Sequence, residues 1–158
     1  MNILVTGVAG FIGFNLAQNF IKKKNFVYGI DNFDNYYSTK IKKKRVNILR
    51  KKKNFIFKKI DITNKKTLNS FFKNKKIDII IHLAAQAGVR YSLKYPNKYL
   101  DVNIVGFLNI IKAIKNKKVK KFIYASSSSV YGDSNKFPLK ENFFLNPKNI
   151  YGETKKIN

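Results

Sequence analysis

The feature that most restricts how this chain can fold is the run Gly7-Val8-Ala9-Gly10-Phe11-Ile12-Gly13, directly after the apolar residues Ile3-Leu4-Val5. An apolar run that ends in spaced glycines and passes into an amphipathic stretch predicts a strand, a tight turn and a helix N-terminus. Gly7 makes the turn off the strand. Gly10 lets the backbone come close to a pyrophosphate, and Gly13 lets the first helix pack against a sheet. The N–H groups at the helix start then face two negative phosphates. A glycine-rich turn without a ligand is the other reading, and the position directly after a strand favours the phosphate cradle.

The rest of the chain alternates strand and helix. Phe11 to about Lys23 reads as a helix with Leu16, Phe20 and Ile21 on one face, and Lys22-Lys24 suit its C-terminal dipole. Phe26–Ile30 is a second strand, closed by Asp31. An acid about 20 residues after the glycines is placed to accept hydrogen bonds from an adenosine ribose diol. It would also repel a 2′-phosphate, which favours NAD over NADP; a plain turn aspartate is the alternative. Asp34–Ser38 is a loop, and Ser38 or Thr39 caps a helix over Lys40–Leu49 whose Lys43 and Arg45 are expected to face solvent. Asn54–Lys58 is a third strand. Asp61-Ile62-Thr63 follows it, where a carboxylate and the next backbone N–H can meet an adenine edge.

Thr67–Lys73 is a short helix, and Ile77–Leu83 is a fourth strand whose continuous apolarity fits burial on both faces of a parallel sheet. It runs into His82-Leu83-Ala84-Ala85-Gln86, where two alanines leave room for a bulky group beside the glycine turn. His82 reads as a structural hydrogen-bonding residue rather than a catalytic base. Gly88–Ser92 is a loop, in which Arg90 either faces an anionic substrate or is a surface residue. Asn97–Asn116 holds a long helix with Val102, Val105, Leu108, Ile111 and Ile114 as apolar positions; Asn103 lies inside it and needs a partner if buried. Val119–Ser126 is a fifth strand, and a last helix starts near Tyr151. The alternation predicts one α/β domain, a Rossmann-like doubly wound parallel sheet with strand order 3-2-1-4-5.

Composition excludes several function classes. The chain has no cysteine and a single histidine, so neither a disulfide framework, a thiolate metal site nor a histidine-cluster zinc site is expected. No apolar run approaches the ~20 residues of a membrane span. No basic segment precedes an apolar run at the N-terminus, so a soluble cytoplasmic protein is the expectation. The formal net charge of +25 invites a polyanion partner. Its lysines, however, are scattered in short groups such as Lys42-Lys44 and Lys115-Lys118, with Asn, Ile and Phe heavily used, as AT-rich codons would produce. Solvated faces, rather than a specific nucleic-acid surface, are expected, with repulsion opposing self-association.

Two stretches carry the chemistry: Ser126-Ser127-Ser128-Ser129-Val130-Tyr131-Gly132 at the end of the fifth strand, and Tyr151-Gly152-Glu153-Thr154-Lys155. A tyrosine and a lysine four apart share a helix face. A neighbouring ammonium and a positively charged nicotinamide ring favour the tyrosinate. Such a tyrosine can take a proton from a sugar hydroxyl while hydride leaves the same carbon, with a serine hydroxyl holding the oxygen.

Together these residues resemble the extended short-chain dehydrogenase/reductase family, in its NAD-dependent epimerase/dehydratase branch. The resemblance rests on Gly7-x-x-Gly10-x-x-Gly13, Asp31, Asp61-Ile62, His82-Leu83-Ala84-Ala85, Asn103, the serine run with Tyr131-Gly132, and Tyr151-x-x-x-Lys155. Asp31-Asn32-Phe33-Asp34-Asn35-Tyr36-Tyr37, Ala87-Gly88-Val89-Arg90-Tyr91-Ser92 and Tyr151-Gly152-Glu153-Thr154-Lys155-Lys156 are most similar to the UDP-glucuronate 4-epimerases. The resemblance implies tightly held NAD, oxidation of a sugar C4 to a ketone, rotation of the keto-sugar and return of hydride to the opposite face. It assigns Ser127, Tyr151 and Lys155 to catalysis. Phe11 and Ile12 would lend backbone N–H groups to the phosphates. The cofactor set implied is Gly7, Gly10, Phe11, Ile12, Gly13, Asp31, Asn32, Asp61, Ile62, Leu83, Ala84, Ala85, Asn103, Tyr151 and Lys155. Arg90, Ser127 and Ser128 would face substrate.

The serine run discriminates within the branch. Sugar-nucleotide 4,6-dehydratases need an acid pair just after the hydroxyl residue, where this chain has Ser128 and Ser129, and the related decarboxylases usually carry glutamate at the position of Ser129. Relatives run to roughly twice this length, so the resemblance implies an N-terminal part without the substrate lobe, inactive alone. A homodimer or a complementing C-terminal chain would then be its partner beside a UDP-sugar. Another NAD-dependent sugar-nucleotide epimerase or decarboxylase fragment, and a non-enzymatic basic binding module, are the alternatives.

Overall fold

The computed structural model describes residues 1–158. Five strands, β1 (Asn2–Thr6), β2 (Phe26–Asp31), β3 (Phe55–Lys59), β4 (Ile79–His82) and β5 (Lys121–Tyr124), form one parallel sheet in the order β3-β2-β1-β4-β5. The helices are α1 (Phe11–Lys22), α2 (Thr39–Arg50), α3 (Lys65–Phe72), α4 (Val89–Lys94), α5 (Pro96–Tyr99), α6 (Phe107–Ile114) and α7 (Ile150–Ile157). This is the Rossmann-like order expected from the alternation. No helix is long and apolar enough to cross a membrane. The chain groups into two compact units, residues 1–84 with 109–124, and residues 85–108 with 125–158.

The first unit contains the whole sheet. β1 lies at its middle, paired with β2 through Val5↔Gly29 and with β4 through Val5↔Ile81. Ile3, Leu4 and Val5 are therefore fully buried, as are Val27, Ile30 and Ile80. Helix α1 lays Ala17 and Ile21 on this core, and α2 lays Val46 and Leu49 on it beside Phe55 and Phe57 of β3. Fully burying an aliphatic side chain of this kind is worth roughly 1.5–3 kcal/mol. β5 is different: Ile123 is 50% and Tyr124 41% exposed. It is also shorter than the 119–126 run expected, because Val119 and Lys120 turn into it through backbone bonds to Lys117 and Asp78.

The second unit is helical. The expected loop at Gly88–Ser92 is instead the start of α4, entered through Gly88 at φ +99°. The expected helix over 97–116 begins one residue early, at Pro96, a position that suits proline because its missing N–H is not needed there. It then widens into a π-helical stretch over Leu100–Gly106 before α6, the kind of irregularity common at functional sites. Within this unit Asn103 and Gly106 are buried, whereas Leu100, Val105 and Leu108 are exposed. The apolar positions read from the sequence thus include solvent-facing ones. Tyr99 is fully buried, and its hydroxyl lies 2.6 Å from the carbonyls of both Ala87 and Gly88. Helix α7 starts at Asn149, whose side chain accepts from the Gly152 N–H at 2.8 Å.

Candidate active site

The glycine turn is built in the first unit. Gly7 sits at φ +67°, and a Cβ there would fall 2.8 Å from the Ala84 nitrogen and 2.9 Å from the Leu83 carbonyl carbon. The turn therefore lies against the backbone that leaves β4, as the paired alanines suggested. The Gly10 N–H donates to the Gly7 carbonyl at 3.0 Å, and Gly10 caps α1 with no side-chain hydrogen bond. No acidic residue occupies the first turn of α1, and Phe11 and Ile12 are 72% and 60% exposed. The positive end of the helix dipole is thus left for an outside anion. Gly13 is buried in the first turn of the same helix.

Asp31 ends β2 and is buried. Its Oδ2 accepts the Ala9 N–H at 3.0 Å and its Oδ1 the Phe33 N–H at 2.8 Å. Burial pushes this carboxyl above its ordinary range, against the pull of those two N–H groups and of Lys42. Two of its lone-pair positions are taken and two remain to accept further hydrogen bonds. Asn32 donates to Asp61 Oδ2 at 2.9 Å, and Asp61 Oδ1 receives the N–H and hydroxyl of Thr63 at 2.8 and 2.7 Å. Burial raises Asp61, but the bonds from Asn32 and Thr63 outweigh it and hold the carboxyl below its ordinary value. Ile62 is buried, and its carbonyl accepts from Asn109 at 3.1 Å.

At the end of β4 the Thr6 hydroxyl accepts the N–H groups of Leu83 and Ala84 at 3.1 and 3.0 Å and lies 2.8 Å from His82 Nδ1. The hydroxyl and Nδ1 share one hydrogen bond, whose direction follows the imidazole tautomer. His82 thereby orients Thr6, and Thr6 orients the Leu83–Ala84 backbone. Thr6 escaped the sequence reading because a lone threonine at a strand end carries no pattern.

The second unit assembles the serine run and α7. Ser127 Oγ accepts the Ser129 N–H and bonds the Ser129 hydroxyl, both at 3.2 Å. Ser127 is half-buried and Ser128 exposed. A Cβ on Gly152 would stand 2.7 Å from the Ser129 carbonyl oxygen, so α7 rests directly on the serine run. Three residues on, the Lys155 ammonium donates to the Ala125 carbonyl at 2.9 Å; burial pulls its pKa below the ordinary lysine value. Tyr151 is half-buried, with its ring edge-on to Tyr99 at 6.1 Å between centroids and 77° between planes. Thr154 is fully buried; it donates to the Tyr151 carbonyl at 2.8 Å and accepts from Asn103 Nδ2 at 3.0 Å. Asn103 also accepts the Gln86 N–H at 2.7 Å and donates to the Gln86 carbonyl at 3.0 Å. Both Asn103 amide protons are spent on protein, so it acts on the Ala85–Gln86 backbone and on α7. Ala85 is half-buried just before that anchored residue, and Arg90 is exposed on α4.

A family model described as GDP-mannose 4,6 dehydratase matches residues 4–158. Protein CapI of Staphylococcus aureus is 42% identical over 159 residues, which cover 100% of this chain and 47% of that protein. A UDP-glucuronate 4-epimerase of Thermodesulfobacterium geofontis is 44% identical over 154 residues, covering 97% of this chain and 47% of its own length. Among solved structures, the UDP-glucuronic acid 4-epimerase of Bacillus cereus in complex with UDP-glucuronic acid and NAD superposes with a TM-score of 0.91 at 37% identity, over 99% of this chain and 49% of that one. The chain spans about half the length of the relatives it matches. On this match, which runs through both the glycine turn and the Tyr151–Lys155 helix, the chain belongs to the GDP-mannose 4,6 dehydratase family of NAD-dependent sugar-nucleotide epimerases and dehydratases.

Proposed function

We propose that this chain is the NAD-holding and catalytic N-terminal part of a UDP-glucuronate 4-epimerase. The observation that carries the reading is the anchoring of α7 on the serine run, at Gly152 against the Ser129 carbonyl and at Lys155 on the Ala125 carbonyl. NAD, when bound, supplies the acceptor and donor of hydride. The residues present fit it: an uncapped α1 start for the pyrophosphate, Asp31 with free lone pairs for the ribose, and Gly7 packed against the Leu83–Ala84 backbone.

The chain's own groups then divide the proton work. Ser127 Oγ holds the sugar C4 oxygen, and the Tyr151 phenol oxygen takes its proton and gives it back after the keto-sugar has turned over. Lys155, fixed by Ala125, supplies positive charge on the Tyr151 face of α7. Elimination, the step that the family description names, needs a carboxylic acid beside the hydroxyl residue. Ser128 and Ser129 provide none, and Ser129 is tied to Ser127. Epimerisation, which needs only hydride and proton exchange, is therefore favoured. On the same reading the small-molecule partner is a UDP-sugar, the compartment is the cytoplasm, and the protein partner is a second copy.

The test is conversion of UDP-glucuronate to UDP-galacturonate by the chain joined to the second half of a relative, with NAD retention measured alongside. Conversion that Tyr151→Phe abolishes while NAD stays bound supports the reading. Failure of the wild type to bind NAD, or conversion indifferent to Tyr151→Phe, overturns it.

A further inference from the structure

The stretch Asp34-Asn35-Tyr36-Tyr37 and the basic helix α2 have no role in the chemistry above. From sequence, Arg45 belongs on the solvent side of a lysine-rich helix. In the structure it folds back over the glycine turn. Arg45 Nη1 donates to the Ala9 carbonyl at 3.2 Å and to the Tyr37 hydroxyl at 3.0 Å. The Tyr37 hydroxyl points at the same carbonyl, at a longer 3.5 Å. The guanidinium carbon lies 5.9 Å from the ring centroid of Phe11, the first residue of α1. Tyr37 is itself held from the same helix, with Lys42 Nζ 4.3 Å from its ring centroid while donating to the Asp34 carbonyl at 2.6 Å.

Ala9, like Val8 before it, is buried between Gly7 and Gly10, and its N–H is already committed to Asp31 Oδ2 at 3.0 Å. Side chains therefore grip Ala9 on both sides: the end of β2 holds its N–H, and α2 with its preceding loop holds its C=O. A turn of small residues has few side-chain contacts of its own, and glycines lose the most freedom on ordering. A dinucleotide that needs the turn in one shape binds more tightly when the protein has fixed that shape beforehand. A planar guanidinium suits the task, since one nitrogen donates to two acceptors while the plane lies over an aromatic ring.

We propose that Arg45, assisted by Tyr37, is a positioning residue that clamps the Ala9 carbonyl and so fixes the phosphate-facing turn for its dinucleotide. The proposal rests on the NAD reading above for its ligand, but not for its effect on the turn. Two measurements on Arg45→Ala, Arg45→Lys and Tyr37→Phe test it: amide hydrogen exchange without ligand, and NAD affinity by calorimetry. In Arg45→Ala the Ala9 and Gly10 amides exchange about tenfold faster, β1 and β2 amides keep their rates, and the Kd for NAD rises about tenfold, the effect of losing one charge-assisted hydrogen bond. Arg45→Lys restores part of both, and Tyr37→Phe shifts both in the same direction by less. Unchanged turn exchange in Arg45→Ala overturns the clamp even if NAD affinity drops, because Arg45 is then a direct anion ligand. A wild type that binds no NAD overturns the dinucleotide reading, and faster turn exchange in Arg45→Ala then still upholds the clamp. If Arg45→Ala does not fold, Arg45→Lys and Tyr37→Phe decide by the same readouts.

Discussion

The glycine turn and the Tyr151–Lys155 helix are held in place by different physics. The turn is enforced chiefly by backbone sterics, since Gly7 has no room for a Cβ beside Ala84, and twelve-residue α1 stands behind it with Ala17 and Ile21 in the core; Asp31 and Arg45 add side-chain grips at Ala9 alone. Helix α7 is held instead through its side chains. Its geometry depends on separate side-chain bonds: Asn149 at its cap, Thr154 to Asn103, and Lys155 to Ala125. The cofactor turn should therefore be least tolerant of a side chain added at Gly7, while loss of a side-chain bond to Ala9 should loosen it locally. The catalytic helix should respond to each partner lost.

The sharpest test of that contrast is Tyr151→Phe in the chain joined to a relative's second half, expected to slow turnover about 10³-fold as general acid–base catalysis is lost, with NAD still bound. A parallel fall in NAD affinity would break the separation between the two regions. Next is Gly7→Ala, which forces a methyl into backbone at positive φ. It should cost about 3 kcal/mol in urea unfolding, and a loss near zero would show that the turn can relax. Asn103→Ala leaves the buried Thr154 hydroxyl and the Gln86 peptide short of partners, at a cost of about 2 kcal/mol. Combined with Thr154→Val the losses should be less than additive. Strict additivity would mean that the two residues do not act as one network.

The smallest effects are in pH dependence, and they separate the regions by sign. Asp61 is held below its ordinary 3.8, so the folded state is favoured above that value and the stability is lost as pH falls through the folded pKa. Asp61→Asn should flatten this acid limb. Lys155 is depressed by burial below its ordinary 10.5, so its cost is fully present below the folded pKa and is relieved as pH rises toward 10.5. Lys155→Met should remove that rise in stability, which urea titration across the alkaline range would detect.

How much of this was legible in sequence follows from where each signal resides. The strand–helix alternation and the glycine turn are local patterns and were readable, and the strand order follows from them by the handedness of parallel crossovers. Asn103 was readable as a polar residue in need of partners, but which partners, Gln86 and Thr154, is set by packing of distant segments. Arg45 was misjudged because Lys43, Lys44 and Arg45 look alike on a basic helix, and only the position of Ala9 distinguishes the third. Gly88 read as part of a loop because its φ of +99° is a helix entrance no pattern announces. The apolar positions of the 97–116 stretch read as one buried stripe, yet Val105, Leu108 and Ile111 are exposed, while Asn103 and Asn109 are each buried and bound to backbone carbonyls.

The outer strand β5 has a colloidal consequence. It pairs only with β4, and Ile123 and Tyr124 stand half in water along its length. A half-exposed apolar strand at the rim of a sheet is a template onto which another strand can add. Lys120 and Lys121 at its start, and a net charge of +25 overall, keep like chains from meeting there in dilute buffer. That protection is electrostatic and so has a range. In ~1 M salt, where screening shrinks to about 3 Å, turbidity should rise, and an added charge at Ile123 should restore clarity.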